Sequence, residues 1–376
     1  YGTGGGGGGG RIIVQYDTST FSNMSGSQAT GGGGGTGSTS TSGAAGEVGT
    51  IGFLDRDDNN LEIYHGWRWE QADSPFLFDN LSAGDNTWIR GGTTGPLTVT
   101  IVGSTTLGSG TSWTADGQHA LINTNSWNST DTTFGFSGQN LELRANTIGT
   151  YSGGAITAGT LTLTGNQSYS SASVIGDTLH VLQLGDLSLT GTATFDFSTS
   201  DVTLTNLTIG SDATFKADGR GHANQAGPRV GGTNTTYSGA GGGHGGRGGN
   251  GYGSTAGAFD DSGLQPDLWG SGGGRGRYTL GGAGGGVIRI VAAGQVNLDG
   301  TLSADGLGSD SYAYGGTGGG GAGGSILIKA NTFAGGGLLQ ANGGKAGDRT
   351  NLVALNYGTG GGGGGGRIIV QYDTST

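Results

Sequence analysis

Seven consecutive glycines at positions 4–10, and again at 360–366, set the tightest limit on what this chain can fold into. A run without side chains buries nothing apolar, and ordering each residue costs about 1–2 kcal/mol of backbone entropy. It becomes ordered only if its backbone groups find partners in neighbouring segments. Further glycine-rich stretches at 239–257, 270–286 and 315–324 carry the same limit, and a Gly-Gly-x-Ile joint recurs before the strand-like blocks. Loose loops or a flexible linker leave that constant position unexplained. The expectation is a sheaf of extended polyglycine II strands, rising about 3.1 Å per residue and bonded side to side because no Cβ keeps them apart.

The two runs belong to a longer identity. Residues 1–20, YGTGGGGGGGRIIVQYDTST, recur letter for letter at 357–376, an offset of 356. RIIVQYDTST reads as a strand with a polar turn and not as a duplicated tag. A long period of this kind is the mark of repeat architectures, whose units supply each other's packing surfaces. The chain is therefore expected to be a window on tandem units of about 356 residues, the spacing of the two copies. Contacts between units are expected at Gly4, Gly10, Ile12 and Val14 and at their equivalents Gly360, Gly366, Ile368 and Val370.

A shorter repeat lies inside the long one. GGAGGGVIRIVAAGQVNLDGTLSADG (281–306) and GGGGAGGSILIKANTFAGGGLLQANGG (318–344) share a glycine run, a strand, a short second strand and an Ala-Asx-Gly ending. The glycine run and RIIVQYDTST follow the same order, and LTNLTIGSDATFKADG (204–219) is a related half-unit. Superposing Val287, Ser325 and Arg367 gives spacings of 38 and 42 residues. Ile288 with Ile290, Ile326 with Ile328, and Ile12 with Val14 alternate with period two, which puts one row inside and the other outside.

Upstream, Leu141–Leu143, Leu161–Leu163, Leu179–Val181, Leu187–Leu189, Phe195–Phe197 and Val202–Leu204 repeat the alternation more densely. Strands of about four or five residues at regular spacing predict an all-β chain built as a parallel β-helix or solenoid, with glycine-rich excursions from its coils. A β-sandwich shares the alternation but needs long hairpins and Asn-Gly turns, which are scarce. Five segments follow: a glycine-rich strand-and-loop element at 1–46, an aromatic-rich block at 47–100, a regular shaft at 101–209, glycine-rich coils at 210–356, and the start of the next unit at 357–376.

The glycine run, strand and ADGG-like turn resemble the repeats of very large bacterial surface, sheath and adhesin-like proteins. They are also loosely similar to the polyglycine-helix sandwiches of phage tail-fibre adhesins. The resemblance covers mainly residues 201–376 and 1–35. It implies an extracellular or cell-surface protein that works in adhesion, attachment or envelope building, and it brings no catalytic residues.

Composition removes several alternatives. The 92 glycines cluster instead of recurring every third residue, which excludes collagen. Sixteen Lys and Arg against 27 Asp and Glu, a net charge of -11, lack the cationic footprint of nucleic-acid binding. No apolar stretch approaches the roughly 20 residues that span a bilayer. A stacked coil also explains the absence of cysteine, since each coil supports the next without disulfides.

Candidate sites are few. No glycine run is followed by a Walker lysine or set between a strand and a long helix, which argues against nucleotide binding. His65, His119, His180, His222 and His244 lack metal-ligand spacing. Asp55, Asp57, Asp58 and Asn59 supply hard oxygen ligands at alternate positions and are the candidate calcium site, although the EF-hand pattern is incomplete and a solvated acidic turn explains them more simply. Asp260, Asp261 and Asp267 form a second acidic cluster. Trp67, Trp69 and Trp88 are candidates for stacking on sugar rings or for contacts between chains, against the simpler role of filling a small core. Carboxylates sit mostly in turns, with no pair on a strand face as a glycosidase requires, so no enzyme is expected. The expected function is an extracellular structural protein whose units join end to end, with lateral contacts as well, into a homopolymeric fibre, tube or sheath. The alternative is a cell-surface adhesin that binds glycan through the aromatic block.

Overall fold

The computed structural model describes residues 5–36, 42–69, 74–91, 95–115, 119–182, 185–259, 267–351 and 357–375. The fold is all-β; among the described residues the only helical element is the 3₁₀ turn Met24–Gly26. The chain divides into two compact units, Tyr1–Ser173 and Val174–Thr376.

In the first unit, strands pair in parallel with strands one level later in sequence. Leu97, Val99 and Ile101 alternate with threonines; their side chains point inward and are buried while Thr98 and Thr100 are half-exposed. Leu97 pairs with Ala120, Ala120 with Leu141 and Leu141 with Leu161, so like residues stand above one another. Burying each such aliphatic side chain contributes about 1.5–3 kcal/mol, and the outward threonines form a polar ladder. Strands run longer than the four or five residues expected: Thr133–Ser152 has 20. Register shifts at Phe136/Asn140 and Ala145/Gly149 explain this, because each irregularity bends the strand and lets pairing resume beyond it. The unit also contains one element the alternation did not predict, an antiparallel hairpin of Thr50–Asp55 and Asn60–Ile63.

Aromatic rings fill the rest of this core. Trp69, Trp113, Trp127, Tyr151 and Tyr169 stack in succession, with ring centroids 4.6–6.2 Å apart.

In the second unit, Val287 pairs with Ser325 and Ser325 with Arg367, the register that the repeat spacing predicts. Thr199–Leu204 lies beside Val287–Ala292, so the glycine-rich chain between residues 217 and 286 leaves the ladder and returns one level on. Asp186–Thr190 pairs with Asn206–Ile209, and Thr194–Asp196 with Thr214–Lys216, which pairs in turn with Thr301–Ser303 and then Leu338–Gln340.

The Ala-Asx-Gly endings stack as well. Asp305 N–H donates to Asp218 Oδ1 at 2.7 Å, and Asn342 N–H donates to Asp305 Oδ1 at 2.5 Å. Each Asx side chain thus caps the backbone of the same turn one level later.

Candidate assembly and binding surfaces

The glycine stretches of the second unit lie against one another, and their hydrogen bonds repeat every third residue. Gly239 N–H donates to Thr317 O, Ala240 to Gly232 O, Gly241 to Gly249 O, and Gly242 to Gly320 O, all at 2.9–3.0 Å. The partner segment recurs after three residues, three positions further along. Gly319 to Gly324 behave alike, donating in turn to Gly274, Gly361, Leu307, Ser271, Gly364 and Ala304. Three neighbours are visited in rotation, and on each the acceptor moves three residues per cycle. A Cβ on Gly321 would run into the Ala283 carbonyl and one on Gly319 into the Ala240 carbonyl, so these positions admit only glycine without a backbone shift.

The twin elements each take part in such a packing. In the first unit, Gly6 and Gly9 donate to the Ala44 and Glu47 carbonyls at 2.8 Å, and the Gly7 carbonyl accepts from Gly32. In the second, Gly361, Gly363, Gly364 and Gly366 donate to Gly239, Gly344, Gly242 and Ala341. Of the residues expected at the joint, Gly4 lies outside the described residues. Ile12 packs against the small core of Ala29, Ile51 and Phe53, while Val14 is exposed. Ile368 is in register with the buried Ile326 yet 39% exposed, and Val370 is in register with Ile328.

The aromatic candidates separate. Trp69 is fully buried in the ring stack, which corrects its assignment as a sugar platform: the chain places it on Trp113 and not in solvent. Trp67 and Trp88 are half-buried, their rings lying over Gly52 and Gly66, where a Cβ would collide with them. Trp88 borders a groove of about 280 Å³ lined by Gly8–Arg11, Glu47–Thr50 and Arg68. The Arg90 guanidinium lies 5.0 Å from the Trp88 ring centroid and pairs with Glu47 at 3.0 Å. An aromatic face bordered by arginines and a carboxylate suits a polar, ring-shaped ligand such as a sugar.

The acidic candidates do not gather. The Asp55 carboxylate accepts from the Asp57 and Asp58 N–H groups and caps the hairpin turn, while Arg56 turns to Asp17 at 2.7 Å. Among the described residues no three His, Cys, Asp or Glu side chains converge on a metal-sized site. Asp260 and Asp261 lie outside the described residues. His244 is buried and bonded to the Ser325 hydroxyl at 3.0 Å, and His222 packs edge-on against Trp269.

The residues that sequence reasoning missed as a group are the Asx caps Asp218 and Asp305, with Asn342 in the turn that Asp305 caps; the recurring Ala-Asx-Gly was their signal. No known protein family, curated protein or solved structure matches this chain.

Proposed function

We propose that the protein is an extracellular structural material whose tandem units stack as one parallel β-helix, flanked by polyglycine II sheaves, and build a fibre, tube or sheath. One observation carries the reading. The recurring twenty-residue element is a level of a parallel ladder in both of its occurrences: Arg11–Tyr16 pairs with Thr50–Asp55, and Arg367–Ser375 pairs with Ser325–Ala334. An element that serves as a rung at each occurrence suits a chain in which one unit continues into the next. The rotating hydrogen bonds of the glycine stretches support the sheaf, since a threefold extended strand presents its amides in three directions.

Electron microscopy of the native material tests this. A periodic assembly whose axial repeat holds one 356-residue unit is the expected image; discrete particles without axial order refute it.

The groove beside Trp88 favours a second reading, a surface adhesin that binds glycan there. Selective binding on a glycan array that is lost in Trp88→Ala, with the fold retained, would support adhesion over a purely structural role.

A further inference from the structure

The two copies of the repeated element use complementary faces, and we infer from this the geometry of the joint between successive units. This inference rests on the tandem-unit reading and specifies its contact.

The glycine run comes first. Among the described residues, the donating amides of the first copy's run are Gly6 and Gly9. In the second they are Gly361, Gly363, Gly364 and Gly366, which correspond to positions 5, 7, 8 and 10. The two sets do not overlap, and together they use every amide from 5 to 10.

Space around the run follows the same division. A Cβ on Gly6 or Gly9 would strike the Gly32 or Ala29 carbonyl, whereas at Gly7 and Gly10 nothing lies within 4 Å. In the second copy a Cβ on Gly363 or Gly366 would strike the Gly321 or Gly324 carbonyl. At Gly362 and Gly365 the nearest atoms stand at 3.9 and 3.8 Å, ordinary contact distances. Each place by itself requires glycine at only some positions. A run that is glycine throughout is required where both sets of neighbours are present together.

The strand gives an independent indication. The Gly10 carbonyl accepts from Thr50 N–H at 3.2 Å, while the Arg367 N–H donates to the Gly324 carbonyl at 2.9 Å. Gly10–Arg11 and Gly366–Arg367 are the same peptide unit in the two copies. The C=O and N–H of a planar trans peptide point in opposite directions, so the copies pair through opposite edges.

Superposing them gives the joint. Arg367–Tyr372 receives the following unit's Thr50–Asp55, with Arg367 opposite Thr50 and Tyr372 opposite Asp55. Asp373 takes the place of Asp17 beside Arg56. The exposed Ile368 is covered by Ile51, which continues the buried column of Ile288 and Ile326. Gly362 and Gly365 meet the segments around Gly32 and Ala29.

The full-length chain tests this with a second copy of itself as partner. Gly6→Val and Gly9→Val expel the chain's own first copy from the seat, leaving it for residues 357–376 of another molecule. Asp55→Cys with Tyr372→Cys, in a chain with no other cysteine, reports the register. The expected result is head-to-tail oligomers that grow with concentration and become disulfide-linked on oxidation, with at least about tenfold less linkage for Asp55→Cys with Gln371→Cys, which lies one residue out of register and on the opposite face. Adding Gly365→Val, whose Cβ meets no atom of its own unit closer than 3.8 Å, must return the chain to monomer with an unchanged circular dichroism spectrum. Oligomers linked equally well out of register, or indifferent to Gly365→Val, overturn the joint and leave end-to-end assembly standing. A chain that stays monomeric at every concentration overturns both.

Discussion

Tyr151 and Tyr169 lie ring upon ring, their centroids 4.6 Å apart and their planes 4° from parallel, inside the first unit. Both are fully enclosed, and loss of solvation is the main reason that both phenols are held well above the usual tyrosine range.

Alkali should therefore unfold this unit by a definite route. The unfolded chain releases its phenolic protons near pH 10 while the folded one retains them, so the unfolded state binds fewer protons and stability falls as pH rises above about 10. Tyr64, pushed up to about 12 by burial and its bond to Glu62, adds to the same trend. Denaturant midpoints measured across that range should fall for the native chain and fall less steeply for Tyr151→Phe with Tyr169→Phe; equal slopes would contradict the assignment.

Trp113 sits between Trp69 and Trp127, and its indole N–H has no hydrogen-bond partner among the described residues. Trp113→Ala empties the middle of the stack and should cost about 3–5 kcal/mol. Trp113→Phe keeps an aromatic ring and removes a buried N–H, so its cost should stay below about 1.5 kcal/mol. Chemical denaturation of the two variants checks the ordering.

Burial is the largest of the influences on Asp305, and it raises the carboxyl above its ordinary value despite the bonds from Asn342. A raised folded value means that this group favours folding most below pH 4 and less as pH climbs through the folded value. Asp305→Asn keeps an acceptor for the Asn342 N–H and removes the charge. It should gain on the native chain as pH rises from about 3 to about 7, whereas Asp305→Ala should lose about 1–3 kcal/mol by stranding that N–H. Urea midpoints at the two pH values distinguish these outcomes.

Glycine substitutions should sort by position and not by composition. Gly321→Ala drives a methyl into the Ala283 carbonyl, while Gly336→Ala meets nothing within 4 Å. The first should lower the melting temperature; the second should leave it unchanged or raise stability by about 0.4–1 kcal/mol, because alanine restricts the unfolded chain. A Gly321→Ala chain that melts like the native one would contradict the packing described for the glycine stretches.

The period-two alternation made much of this legible in advance. Leu141–Leu143 and Leu161–Leu163 lie in strands with their leucines inward, and the match of Val287, Ser325 and Arg367 is their pairing register. The aromatic stack was not legible, because Trp69, Trp113, Trp127, Tyr151 and Tyr169 are unevenly spaced and meet only once bends set the register. That is why the sequence leaves Trp69 open between a sugar platform, an interchain contact and a core residue, and the structure makes it core. The Asx caps were visible as a motif, but their partners lie 87 and 37 residues away, a separation that local pattern does not reveal. The acidic turn at Asp55 reads the same whether it holds an ion or its own amides, and the structure bonds the Asp55 carboxylate to the Asp57 and Asp58 amides.

The glycine stretches hold together through neutral peptide groups, and that has a consequence for the conditions they withstand. Ion pairs at a surface fade as dissolved salt shortens the range of their attraction, to about 3 Å at molar strength. Amide-to-carbonyl cohesion has no net charge for electrolyte to shield, and nothing in it titrates. Brine and mild acid should leave this part of the protein closed, whereas salt loosens contacts such as Arg90 with Glu47.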